Sequence, residues 1–311
     1  MRRALTLAAT VAALLGARVA GAYCRSATCP PQGTDGSTAG QVCNPALPTD
    51  CGIELQWRQP CMSFDVQQGA SRQIDFATAD ATLTQAFATW AGSECGGGMP
   101  SFQIFDLGAV SCDKAEYNQQ AGNANILIFR DDVWPHDTGG GGVDTLALTT
   151  VTYDVVAGDI YDADIEVNTA DNTFSTGDQP GATDVDLLSV LTHETGHFLG
   201  LAHTQTEGAT MFASYTPGTI TIRQPQADDV AAVCDAYPVD RQATGACTGL
   251  PRHGWAPLCA AEQTNLSCAA SPARSEGGSG GGAGLLALGV AFVAVARGSG
   301  RIRGRRGSRR W

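Results

Sequence analysis

HETGHFLGLAHTQTEGATM, residues 193–211, decides how the rest of the chain is understood. The sequence has five histidines in 311 residues, and three of them fall within these positions. Residues four apart on a helix share a face, so His193 and His197 present their imidazoles to one point, with Glu194 beside it. The preceding DVDLLSVLT supports a helix. Thr183 or Asp184 is placed to cap it, and Leu187, Leu188, Leu191, Phe198 and Leu199 recur at helical spacing. Gly200 ends it: glycine enters the left-handed conformation without a Cβ penalty, and the chain then turns back to bring His203 to the same point.

Neutral imidazole nitrogen is a good zinc ligand, and three protein ligands leave one tetrahedral position open for water. An open position implies catalysis. Zinc lowers the pKa of its water from about 16 towards roughly 7, and a neighbouring carboxylate takes the proton as that water attacks a polarised carbonyl. Glu194 fits that task as a general base and not as a ligand. An isolated HExxH is a weak sign, and a buried histidine pair is often plain hydrogen-bonded core. Here the pattern extends to HExxHxxGxxH, and Met211 follows the third histidine.

These residues resemble the metzincin metallopeptidases and, more closely, the matrixins, the matrix metalloprotease family. The resemblance implies that His193, His197 and His203 bind one catalytic zinc, that Glu194 is the general base and that Met211 forms a tight turn under the metal. Thr204 is close to the serine that matrixins carry after the third histidine and unlike the glutamate of astacins. The likeness runs over roughly residues 53–238. FATADATLTQAFATWAG (76–92) looks like the first matrixin helix, with its AFxxW signature at Ala86, Phe87 and Trp90. NANILIF (123–129) is similar to a core strand, and QADDVAAVCDAYP (226–238) to the closing helix. TLALTT (145–150) sits where the family has the edge strand that pairs with an extended substrate. MFASYT resembles one wall of the pocket for the side chain after the cleaved bond.

The implied fold is α+β: a metzincin (zincin-like) catalytic domain with a twisted, mixed five-stranded sheet, mostly parallel, and about three helices. Its lower edge strand borders a cleft, with the zinc helix beneath. Leu146, Ala147, Phe212 and Tyr215 are the expected contacts with a polypeptide substrate. An unpaired strand offers backbone hydrogen bonds indifferent to sequence, although LAL reads equally well as a buried core strand.

The departures are as informative. The family's PRCGxPD prodomain motif, whose cysteine caps the zinc, has no match, so latency is unexplained. Where many matrixins hold a second, structural zinc, Tyr161 and Leu148 stand instead, and His136 is the only other histidine before the motif. No structural zinc is expected. Structural calcium is the better candidate for a second metal. In GDIYDADIEVN, Asp162, Asp164 and Glu166 share one strand face, with Tyr161, Ala163, Ile165 and Val167 on the other. Asp131 and Asp132, and Asp144 at the end of a glycine-rich loop, add oxygen ligands of the kind calcium prefers. A solvated acidic face gives the same pattern.

The two ends differ from the body. Residues 1–22 read as a secretory signal peptide, with Ala20-Gly21-Ala22 as the cleavage site and a mature start near Tyr23. Residues 23–52 form a Cys-rich N-terminal segment, and 239–276 a Cys-containing extension. Residues 277–311 join a glycine-rich linker, a short apolar run and an arginine cluster. About 20 residues are needed to span a bilayer, so this tail resembles a bacterial sorting tail more than a permanent membrane helix. It is the only expected tie to a membrane. Three arginines in the signal and seven in the tail leave nine basic against 31 acidic residues. That balance excludes nucleic acid as a partner.

Eleven cysteines behind a signal peptide imply disulfides in an oxidising compartment. Cys95 and Cys112 form a plausible local pair. The odd number leaves one thiol over, either buried or, at the N-terminus, in zinc's open position. The expected protein is thus a monomeric, secreted or surface-associated zinc endopeptidase. The alternative is a surface-anchored peptide-binding or adhesion module on the same fold, and a narrower one is a peptidase with a single dedicated partner.

Overall fold

The computed structural model describes residues 23–28, 53–136 and 145–263, together with the backbone of two short strands at 290–291 and 309–310. The signal peptide, Asp144, Cys29, Cys43, Cys51 and most of the tail lie outside the described residues. In chain order the main elements are β1 (Cys61–Gln67), α1 (Phe76–Ala91), β2 (Gln103–Val110), β3 (Ile126–Phe129), β4 (Ala147–Tyr153), β5 (Ile160–Val167), α2 (Leu187–Phe198) and α3 (Ala227–Ala236). The strands form one mixed sheet in the order β4-β5-β3-β1-β2, parallel except that β4 runs antiparallel to β5. Val290–Ala291 pairs antiparallel on the outer side of β4, opposite Val151 and Thr150, and Arg309–Arg310 pairs with Ser214–Tyr215.

The two faces of the sheet are closed by different means. On one face α1 and α2 pack through aromatic contacts: Phe64 of β1 stacks on Phe87 of α1 at 5.2 Å, and Phe87 meets Phe198 of α2 edge-on at 4.9 Å. Trp57 lies on the other side of Phe198 and donates from Nε1 to its carbonyl at 2.8 Å. The AFxxW signature acts here. Trp90, fully buried, donates from Nε1 to the Thr192 carbonyl at 2.8 Å and so fixes α1 against the middle of α2.

The opposite face is covered by residues beyond α3. Cys112 and Cys259 join Val110, Ala124, Ile126 and Ile128 in a second apolar cluster. The Pro257 carbonyl accepts from Ser111 N and Cys112 N, and the Gly254 carbonyl accepts from Asn123 N. Three disulfides tie distant parts together: Cys61–Cys247, Cys95–Cys234 and Cys112–Cys259. The expected Cys95–Cys112 pair is therefore corrected, since each cysteine faces a different late segment and sequence proximity had no bearing. Cys24 is also in a disulfide. Of the four cysteines in the N-terminal segment, Cys24 is thus not a spare thiol; Cys29, Cys43 and Cys51 lie outside the described residues.

β5 is buried on both sides, where its alternation suggested a half-buried strand: Glu116 N and Ile126 N donate to Asp164, and Arg130 and His136 meet Glu166. Ala163, Ile165 and Val167 enter the main core, and Asp162, Asp164 and Glu166 are buried opposite. Asp65 of β1 is also fully buried and accepts from Trp255 Nε1 at 2.8 Å. Burial raises its carboxyl to about 7 against the pull of that hydrogen bond. A folded-state pKa above the unfolded 3.8 means the native form holds the extra proton. The associated stability is complete below the unfolded value and is lost as pH rises through about 7. Asp65→Asn should therefore remove on the order of 2–4 kcal/mol of the stability lost between pH 4 and 8, read from urea unfolding. A substituted protein whose stability declines as steeply as the parent's would contradict this.

Candidate active site

The site is built on α2, every residue of which is buried. Its cap is Asp186, whose side chain accepts from Ser189 N at 2.9 Å. Thr183 and Asp184 stand too early, because Val185–Asp186 remains extended and pairs with Phe174–Ser175. Arg223 grips the same carboxylate with Nε at 2.8 Å and Nη2 at 2.6 Å, so the cap carries its own counterion. After the helix, Gly200 adopts φ +86°, and a Cβ there would lie 2.4 Å from the Leu55 carbonyl oxygen. Only glycine makes this turn. The returning Leu201–Ala202 is braced by antiparallel pairing with Cys24–Arg25 and delivers His203.

The three imidazoles converge. Each pair of Nε2 atoms among His193, His197 and His203 is 3.1 Å apart. Their roles are fixed from behind: His193 Nδ1 lies 2.7 Å from the Thr210 carbonyl and His197 Nδ1 lies 2.8 Å from the Leu201 carbonyl. A carbonyl only accepts, so both rings carry their proton on Nδ1 and turn an Nε2 lone pair inward. Burial, and for His193 and His203 the neighbouring rings, push all three below the ordinary histidine range, His197 to about 4. The lone pairs of His193 and His197, facing across 3.1 Å, repel one another unless a cation sits between them. Three nitrogens each about 2.0–2.1 Å from a zinc ion at tetrahedral angles lie about 3.3 Å apart, so the residues fit that ion closely.

Beneath the triad, Met211 is buried against Gly196, one of the two residues between Glu194 and His197 that the motif leaves unspecified. A Cβ at 196 would fall 2.3 Å from the Met211 sulfur and 3.0 Å from Trp90 Cζ2. Asp229 of α3 holds the methionine turn by accepting from Thr210 N at 2.7 Å and Met211 N at 3.0 Å. Glu194 is also buried, and Thr149 Oγ1 of β4 donates to its Oε2 at 2.6 Å. Burial raises this carboxyl to about 7, with the Thr149 hydrogen bond pulling the other way.

A family model described as matrixin matches residues 56–238. The chain belongs to the matrixin family. Metalloendoproteinase 1-MMP of Arabidopsis thaliana is 39% identical over 75 residues, which are 24% of this chain and 20% of that protein. The match thus spans about a fifth of that relative's length.

In this matrixin, Phe212 and Tyr215 line a cavity of about 590 Å³ together with Gly208, Ser214, Thr219 and Ile222. The Tyr215 hydroxyl donates to the Thr219 carbonyl at 2.6 Å and accepts from Asp186 N at 3.0 Å, tying the cavity wall to the start of the zinc helix. Leu146, just before β4, and Ala147, its first residue, have side chains in the core. Any contact they make with a bound peptide is through backbone.

Among the described residues, no three of the calcium candidates bring carboxylate oxygens to one point. Glu166 is held by Arg130 Nε at 2.6 Å and His136 Nε2 at 2.7 Å; burial raises its carboxyl, and these partners outweigh it and leave it low. Asp131 accepts from Ser71, Thr169 and Arg72 N, while Asp132 is exposed beside Arg72. Burial pushes Asp162 and Asp164 well above the ordinary carboxylate range, and they share a hydrogen bond. Protein donors thus meet Glu166 and Asp164, whereas Asp162 Oδ1 is buried without a hydrogen-bond partner among the described residues.

Thr149, Asp229, Gly196 and Arg223 escaped sequence reasoning, since each acts through a partner distant in the chain. Gly196→Ala should lose about 1–3 kcal/mol in urea unfolding, because the methyl meets the Met211 sulfur and an indole edge that cannot both retreat. Stability equal to the parent would show that the floor under the triad is not packed as described.

Proposed function

We propose that this matrixin is a zinc-dependent endopeptidase that hydrolyses extended polypeptides outside the cell. The observation that carries the reading is the inward convergence of three neutral imidazoles beside a buried glutamate that is not itself part of the nitrogen triangle. His193, His197 and His203 would hold the ion. When bound, zinc supplies Lewis-acid polarisation of the scissile carbonyl and acidifies the attacking water. Glu194 accepts that water's proton on a carboxylate oxygen and returns it to the departing amine nitrogen. Its burial suits a group that must gain and lose a proton near neutral pH. The backbone of β4 around Leu146 and Ala147 lines up the peptide in extended form, and the cavity at Phe212 and Tyr215 receives the side chain after the cleaved bond. The disulfides support an oxidising, extracellular setting.

Glu194→Gln should retain one zinc per chain and lose about 10²–10⁴-fold in kcat on casein or gelatin. In the parent protein, hydrolysis should stop with a zinc chelator and return when zinc is added back. A metal-loaded parent that binds peptides without cutting them would favour the adhesion reading instead.

A further inference from the structure

Thr149 is a polar residue in an apolar row. Along β4, Ala147, Thr149 and Val151 alternate onto the face that packs against α2, and the first and last belong to the main core. A buried hydroxyl is costly unless hydrogen-bonded. Thr149 is fully buried, and its hydroxyl lies 2.6 Å from Glu194 Oε2 and 3.2 Å from the Glu194 carbonyl oxygen. A hydroxyl has one proton to give, and the shorter contact marks the carboxylate as its acceptor. Thr149 is β-branched, so its χ1 is stiff, and it stands on a strand whose seven residues are paired with β5. Glutamate, by contrast, has three rotatable bonds and gives up considerable rotamer freedom when fixed.

We infer that Thr149 is a positioning residue for Glu194: its hydroxyl holds Oε2 and leaves Oε1 directed to the attacking water. This rests on the reading of Glu194 as general base. Without the hydroxyl the carboxylate rotates among several orientations, only one of which serves the water. The loss falls on the chemical step and not on peptide binding, because Thr149 is fully buried and its hydroxyl acts on Glu194.

The test compares Thr149→Val, Thr149→Ser and Glu194→Gln in the full chain loaded with zinc, on a fluorogenic peptide that the parent cuts. Valine keeps the shape and removes the hydroxyl; serine keeps the hydroxyl. The expected result for Thr149→Val is a kcat lower by about 10–100-fold, the range for a hydrogen bond to a charged group, with KM within about threefold. Zinc content and thermal midpoint should equal the parent's, and Thr149→Ser should recover kcat to within about fivefold. A Thr149→Val protein with the parent's kcat, while Glu194→Gln is inactive, overturns this inference and leaves the general base standing. Loss of zinc or of thermal stability in step with kcat, unrelieved by serine, also overturns it by showing a packing role. Full activity in Glu194→Gln removes the base and this inference with it.

Discussion

Three neutral imidazoles facing one another across 3.1 Å in a buried site are the constraint on which the rest of the structure depends. Lone pairs held that close are tolerable only with a cation between them, and the protein supplies no side-chain cation there among the described residues. The burial of the whole of α2 follows from this need. Rings that must stay neutral and fixed are kept dry, and the outer nitrogens of His193 and His197 are committed to the Thr210 and Leu201 carbonyls. Those two carbonyls lie in the methionine turn and in the chain that returns past Gly200, so the turns that complete the site also set the tautomers within it.

Around that centre each support is itself supported. Asp186 caps the helix and is held by Arg223; Tyr215 joins the same cap to the cavity wall. Met211 fills the space that Gly196 leaves, and Asp229 anchors its turn from a separate helix. Tryptophans at 57 and 90 donate to the Phe198 and Thr192 carbonyls, which joins the segment before β1 and α1 to α2 without a charged group. Such a frame fits a site whose groups must be positioned within fractions of an ångström.

The motif and its helix were legible because their periodicity and turn chemistry are local. So was the sheet: the segments that look like matrixin strands fold as strands, and the expected mixed order holds with β4 at the edge of the five. The helix cap lies two or three residues later than expected, since a short parallel bridge with Phe174–Ser175 keeps the chain extended, and that pairing leaves no local mark. The disulfides joined residues more than a hundred positions apart. The acidic strand was ambiguous for a similar reason. Its carboxylate face looked ready for a cation or for water, whereas the backbone at Glu116 and Ile126 meets Asp164 and Arg130 and His136 meet Glu166. Thr149 read as an ordinary strand threonine, and only the fold places it against Glu194.

Zinc K-edge X-ray absorption on the purified protein tests the central claim most directly. The account predicts three nitrogen ligands at about 2.0–2.1 Å with a fourth light-atom ligand, and one nitrogen fewer in His203→Ala. Absence of bound zinc, or a nitrogen shell that His203→Ala leaves unchanged, would contradict it.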